Sequence, residues 1–237
     1  MHLDPLGDRI SRIELIDSMG GDLSVANDAR ASFGKVHDEL TDKDIKLINY
    51  LIAHDHFSPL RGVCFKFKVK APLYTCRQWF KHTIASNHND DQQSWNEKSL
   101  RYVAIADENE FYIPSVFRMQ SKSNRQATTG SLPHELNDEA RSLYENMCQQ
   151  SFENYQRLLD MGVGREQARG ILVPAVYTSW VWTVSLQAVL HFIDLRKGEG
   201  AQSEIVLYAE AIEKLIEPIV FETIKAWRQN AAKKTNK

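Results

Sequence analysis

At 237 residues, with 43% hydrophobic and 25% charged residues, the chain is long enough for a core that needs no disulfide or metal staple. Its formal net charge of −2 argues against a nucleic-acid binder, which normally presents a basic face. No apolar run reaches membrane-spanning length, and the start MHLDPLGDR lacks the basic-then-apolar pattern of a leader, so neither a membrane protein nor a secreted precursor is expected.

No linker, low-complexity break or internal repeat divides the sequence, so residues 1–237 read as a single domain. Arg12 to Met19 reads as a strand that Gly20-Gly21 ends, after which Asp22 caps a helix running to about Phe33. A second helix spans roughly Asp42 to Asp55, with Ile45, Ile48, Leu51 and Ile52 on one stripe. A turn covers His56 to Gly62. Beyond it Val63, Phe65, Phe67 and Val69 alternate with Cys64, Lys66, Lys68 and Lys70, the pattern of a half-buried strand. Pro72 suits the first position of a helix carrying Arg77 to Ser86, and the polar, aperiodic Asn87 to Trp95 predicts a loop.

Leu100 to Ile105 reads as extended and Gln120 to Gly130 as a mobile loop. A long amphipathic helix is predicted from about Glu135 to Met161, stopped by Gly162 and Gly164. Ala175 to Val184 is β-branched and aromatic, hence a strand, and Ser185 suits the N-cap of a helix reaching Arg196. A last helix of about 25 residues begins near Ala201. Many helices with few strands give the α+β class, a small mixed or antiparallel sheet flanked by long helices.

The most informative segment is Arg77 to Tyr102. It gathers Arg77, Gln78, Lys81, His82, Ser99 and Arg101, all donors or cations, with the acid Glu97 among them. That set suits a ligand carrying phosphate and several hydrogen-bonding edges. Other chemistries lack their residues. The spacings of His54 with His56 and of His82 with His88 do not suit a metal site, so none is expected. The sequences GxSxG, GxGxxG and GxxxxGK[ST] are all absent. Cys64, Cys76 and Cys148 are odd in number, widely spaced and without a neighbouring base, which reads as reduced thiols in a cytoplasmic protein.

RQWFKHTIAS followed by NEKSLRY resembles the signature of the flavin-dependent thymidylate synthases, an Arg-His-Arg triplet, a fixed gap and then a serine. DLSVANDARASF, HDHFSPL, FKFKVKAP, EFYIPS, the QAR ending at Arg169, YTSWVWTV and FIDLR followed by AQSEI are similar to the same family in the same order. The resemblance covers Arg12 to Trp227. It implies a homotetramer with active sites between subunits, each taking FAD, a dUMP-like nucleotide and 5,10-methylenetetrahydrofolate, with NADPH as reductant and no protein nucleophile. Carried over position by position, it makes Arg196 the catalytic cation at the uracil edge. Gln78, Lys81, Glu97, Ser99, Arg101 and Arg169 then fall on nucleotide-binding positions. His56, Ser58, Lys81, His82, Thr83, Glu97, Ser185, Gln187 and His191 fall on the cofactor side.

The sequence also departs from the family. The Arg-His-Arg triplet is Lys81-His82-Thr83, and Asn87 to Trp95 stretches the middle of the signature. The family's Asn-Ala-Arg on the flavin side stands as Ser185-Leu186-Gln187, and a following Asn as His191. Three readings stay open: a thymidylate synthase with an altered flavin cradle, a same-fold C5 methylase or hydroxymethylase of another pyrimidine nucleotide, and a non-catalytic nucleotide-binding relative.

Overall fold

A computed structural model describes residues 2–82, 94–105 and 110–235, with backbone alone for 233–235. Five strands form one antiparallel sheet in the order β1 (His2–Leu3), β2 (Arg12–Met19), β3 (Cys64–Pro72), β7 (Tyr177–Ser185), β4 (Ser94–Glu97). β3 and β7 pair along their whole length, from Cys64 opposite Ser185 to Pro72 opposite Tyr177. The alternation of β3 has the predicted consequence: Phe65, Phe67 and Val69 are buried, while Lys66 and Lys68 are exposed.

Helices cover the apolar face. α3 (Leu73–Phe80) follows β3 directly, and α6 (Leu186–Lys197) follows β7 directly. Trp79 of α3 is the centre of this layer. It is fully buried, stacked on Phe192 at 4.7 Å and edge-on to Trp180 and Trp182. α1 (Asp22–Arg30), α2 (Asp42–Ala53) and α7 (Ser203–Ile216) complete the main core. A second cluster gathers under α4 (His134–Asp160) and α5 (Arg165–Ala168), where Phe111, Cys148, Tyr155 and Val176 are buried together.

Several expectations need correction. Asp22 is the first residue of α1, not its cap; Gly21 occupies the cap position. The Asp22 carboxylate instead caps α8 (Phe221–Thr235), accepting from Glu222 N at 2.9 Å and from Thr223 N and Oγ1 at 2.9 and 2.6 Å. The expected last helix is thus two, α7 and α8, because Pro218 interrupts it. Pro72 is the cap residue of α3 rather than its first residue, and α3 closes at Phe80 instead of reaching Ser86.

Of the expected loop Asn87 to Trp95, residues 87–93 lie outside the described residues, and Ser94 and Trp95 belong to β4. Leu100 to Ile105 is turn rather than extended chain, since the Ser99 carbonyl accepts from both Tyr102 N (3.0 Å) and Val103 N (3.2 Å). The stretch read as the loop Gln120 to Gly130 is instead a hairpin of β5 (Arg118–Gln120) and β6 (Thr128–Ser131), closed by Gln120 Nε2 donating to the carbonyls of Asn124, Arg125 and Ala127. The Ser185 cap is as expected: its hydroxyl accepts from Ala188 N at 3.3 Å.

Candidate active site

Two faces of α3 divide the candidate residues. Leu73, Cys76, Arg77 and Phe80 recur at helical spacing and line a cavity of about 740 Å³, closed on its other sides by Trp95, Glu97, Lys98, Ser99, Glu166, Arg169 and Thr178. Such a volume suits a nucleotide-sized ligand. Glu97 and Ser99, neighbours in sequence, meet the sequence-distant Arg169 here. Arg77 and Arg169 give the cavity two guanidinium groups, and the Arg169 Nε donates to the Glu166 carbonyl at 3.3 Å. Trp95 forms an aromatic wall, stacked on Trp180 at 4.6 Å and edge-on to Phe80 at 5.4 Å. Phe80 is 52% exposed and faces this space.

Cys76 and Cys148 carry no thiolate chemistry. Burial pushes the Cys76 thiol far up, and the nearby Glu97 charge adds to that; burial and Glu145 push Cys148 up to about 11. Both are protonated near neutral pH.

Arg196 and Gln78 do not line this cavity. Arg196 lies on the last turn of α6, where its Nε donates to His82 Nε2 at 2.6 Å and its Nη2 donates to the Gln78 carbonyl at 3.2 Å. Two of its five N–H groups are thereby oriented, leaving the other three for a ligand. The Gln78 side chain pairs with Gln202, which in turn donates to Glu204 at 2.9 Å. Lys81 is exposed at the end of α3. Arg101 is exposed as well, bonded to Tyr102 Oη at 2.7 Å and outside the cavity.

His82 is 6% exposed, and its pKa falls from 6.5 to about 4 because burial disfavours the charged ring and because Arg196 and His191 lie beside it. As Nε2 accepts, the neutral ring carries its proton on Nδ1. Between pH 6.5 and 4 the unfolded chain takes up a proton there that the folded chain refuses, so His82 contributes stability above pH 6.5 that is lost as pH falls through this window. We expect the melting temperature to drop over that range, and His82→Gln to flatten the drop; an unchanged pH profile in the variant would count against this assignment.

The cofactor-side candidates divide too. His56, Ser58 and Gln187 share a depression of about 550 Å³ with Asp28, Ser32, Asp55 and Arg61. Arg61 was not singled out from sequence. Its Nε donates to Gln187 Oε1 at 2.8 Å, which brings a guanidinium to the position of the glutamine. Ser185 is fully buried and committed to its cap, so in this chain it offers nothing to a ligand. His191 Nε2 is buried with no hydrogen-bond partner found among the described residues, and its ring centroid lies 6.5 Å from that of His82. Thr83 lies outside the described residues. Among the described residues, no group of three or more His, Cys, Asp or Glu could hold a metal, and no helix is long and apolar enough to cross a membrane.

The structure thus combines an antiparallel sheet covered by helices, a nucleotide-sized cavity lined by cations and aromatics, and an arginine hydrogen-bonded to a neutral histidine, features of a small-molecule site. The family model described as thymidylate synthase complementing protein matches residues 14–220. A flavin-dependent thymidylate synthase from Thermus thermophilus is 40% identical over 204 residues, spanning 86% of this chain and 70% of the relative. One from Kosmotoga olearia is 38% identical over 215 residues, spanning 89% of this chain and 88% of the relative. Among solved structures, a UMP/dUMP methylase from Streptomyces cacaoi bound with 5-Br dUMP superposes with a TM-score of 0.79 at 30% identity, covering 92% of this chain and 94% of that one. The chain belongs to the flavin-dependent thymidylate synthase family.

Proposed function

We propose that this protein transfers a one-carbon unit from 5,10-methylenetetrahydrofolate to C5 of dUMP, giving dTMP, with FAD as cofactor and NADPH as reductant. The observation that carries this reading is the meeting of Glu97, Ser99 and Arg169 in one cavity of a chain that belongs to the family along nearly its whole length. The guanidinium groups of Arg77 and Arg169 and the Ser99 hydroxyl form the donor set for a phosphate. Glu97 accepts from hydroxyl or ring N–H groups of the nucleotide. Lys81 and Arg101, exposed at the margins, add cations for the same phosphate.

Arg196 supplies the charge that stabilises electron density developing on the pyrimidine. A guanidinium stays protonated, and one whose Nε and Nη2 are already engaged needs little reorganisation to do so. When bound, reduced flavin supplies the hydride that completes the methyl group. The donors around the depression at His56 fit such a group: His56, Ser58, Arg61 and Gln187 offer ring, hydroxyl, guanidinium and amide contacts. Arg61 there offsets the loss of the family's arginine at Gln187. Arg61→Ala is expected to weaken FAD binding about tenfold or more, read as the quenching of flavin fluorescence on titration, because it removes a charged donor. Unchanged affinity would remove Arg61 from the site.

Glu97 and Ser99 face one side of α3 while Gln78, His82 and Arg196 face another, so one chain does not unite them. A homotetramer with sites between chains resolves this, and a cytoplasmic setting with free thiols belongs to the same reading. Mixing inactive Glu97→Ala and Arg196→Ala proteins should then restore part of the activity, and no restoration counts against shared sites. A second reading, in which UMP is also methylated, is favoured by the Streptomyces cacaoi structure, whose protein is a UMP/dUMP methylase. Incubating the protein with FAD, NADPH and methylenetetrahydrofolate and either dUMP or UMP tests both. The expected product exceeds its substrate by the mass of one CH2 group. No gain with dUMP overturns the first reading, and a gain with UMP supports the second.

A further inference from the structure

Glu97 is exposed on the short edge strand β4, where a glutamate side chain would ordinarily wander among rotamers. Here both of its oxygens are engaged. Thr178 Oγ1 donates to Oε1 at 2.7 Å, and Trp95 Nε1 donates to Oε2 at 3.2 Å. The two donors are themselves fixed. Thr178 is only 8% exposed on β7, the strand that lies between β3 and β4, and the Trp95 ring is stacked on the buried Trp180. The Cys76 thiol, held protonated by burial and by this same acid, closes a third side.

A carboxylate has about four acceptor positions, so the Thr178 and Trp95 bonds, with the Cys76 thiol alongside, hold the group in place and still leave acceptor capacity for a ligand. From this geometry we infer that Thr178 and Trp95, which also line the cavity, are positioning residues for nucleotide binding, acting by holding the Glu97 carboxylate. The inference rests on the proposed role of Glu97 in holding the nucleotide. Preorganising Glu97 removes the entropic cost of ordering it when the ligand arrives. Neither residue stands out in sequence: Thr178 sits in a strand that reads as core, and Trp95 at the edge of a polar run.

The test is a double-mutant cycle on dUMP affinity, measured calorimetrically with the FAD-loaded protein, alongside KM and kcat. Thr178→Val, which keeps the shape and deletes the donor, should weaken dUMP binding and raise KM about tenfold, the range for losing a hydrogen bond to a charged group, with kcat changed less. Thr178→Ser should restore affinity, and Trp95→Phe should raise KM more modestly because its bond is longer. In a Glu97→Gln background Thr178→Val should cost little further. If its penalty is the same in both backgrounds, the positioning role is overturned while the nucleotide site stands. If Glu97→Ala leaves dUMP affinity unchanged, the site reading fails and the inference with it. A lowered melting temperature with unchanged affinity in Thr178→Val overturns the role as well, since it marks Thr178 as a packing residue only.

Discussion

Replacing Arg196 by alanine is expected to lower kcat by about two to three orders of magnitude, the range for deleting one preorganised donor to a developing negative charge. Flavin absorbance should stay nearly intact, because the depression around His56, Ser58 and Arg61 does not include Arg196. The geometry distinguishes this loss from a general disturbance. Arg196 holds His82 Nε2 and the Gln78 carbonyl, so its removal leaves a buried imidazole nitrogen without its donor, a moderate cost in stability. Arg196→Lys keeps a cation but loses the planar fork. One ammonium cannot reach His82, the Gln78 carbonyl and a pyrimidine oxygen from the angles a guanidinium spans, so lysine should recover little of the rate. Single-turnover kinetics with preloaded flavin would read this directly. A lysine variant close to wild type would show that charge alone suffices, and an alanine variant close to wild type would remove Arg196 from the chemistry.

Local pattern carried much of the fold, and its failures have physical causes. The alternation from Val63 to Lys70 marks β3 because one face of that strand is buried and the other is not. Ser185 was legible as a cap because capping is a three-residue interaction. Asp22 was misread for a related reason: its residue type announces a cap, but the helix it caps begins about two hundred residues later, at |i−j| of 200 and 201. The hairpin of β5 and β6 is exposed along both strands and carries no hydrophobic period, leaving nothing for a pattern to detect.

The site shows the same division. Glu97 and Ser99 could be found because a contiguous motif holds them. Arg61 and Thr178 could not, since each matters through a partner 126 or 81 residues away. Nor does sequence disclose that Gln78, one residue after Arg77, faces a different side of α3. That follows from the helical rotation of about 100° per residue once both neighbours of the helix are known.

The largest expected effect on stability lies where α1 meets α2, at Asp44. Asp44 is fully buried near the start of α2, where it accepts from Thr41 N at 2.8 Å and Thr41 Oγ1 at 2.5 Å, contacts His37 Nδ1 at 3.1 Å and pairs with Arg30 of α1. Burial alone would raise its pKa from 3.8, but the hydrogen bonds from Thr41, His37 and Arg30 outweigh it and hold the carboxyl well below that value. The cluster ties α1 to α2, and these helices contribute Asp28, Ala29 and Leu51 to the wall around His56.

Asp44→Ala leaves Arg30 with its guanidinium largely buried and without a counter-charge, which should cost about 3–5 kcal/mol in urea unfolding. The pH dependence has a definite sign. The folded pKa is depressed, so the contribution is complete above the unfolded value of 3.8 and is lost as pH falls through the lower folded value. Wild-type protein should therefore lose stability steeply on acidification below about pH 4, and Asp44→Asn should lose less over the same interval while starting from a lower plateau. Flavin affinity should fall in both variants, since the wall around His56 is built on the helices this cluster joins. Parallel acid-unfolding curves for wild type and Asp44→Asn would show that Asp44 does not hold α1 against α2 through its charge.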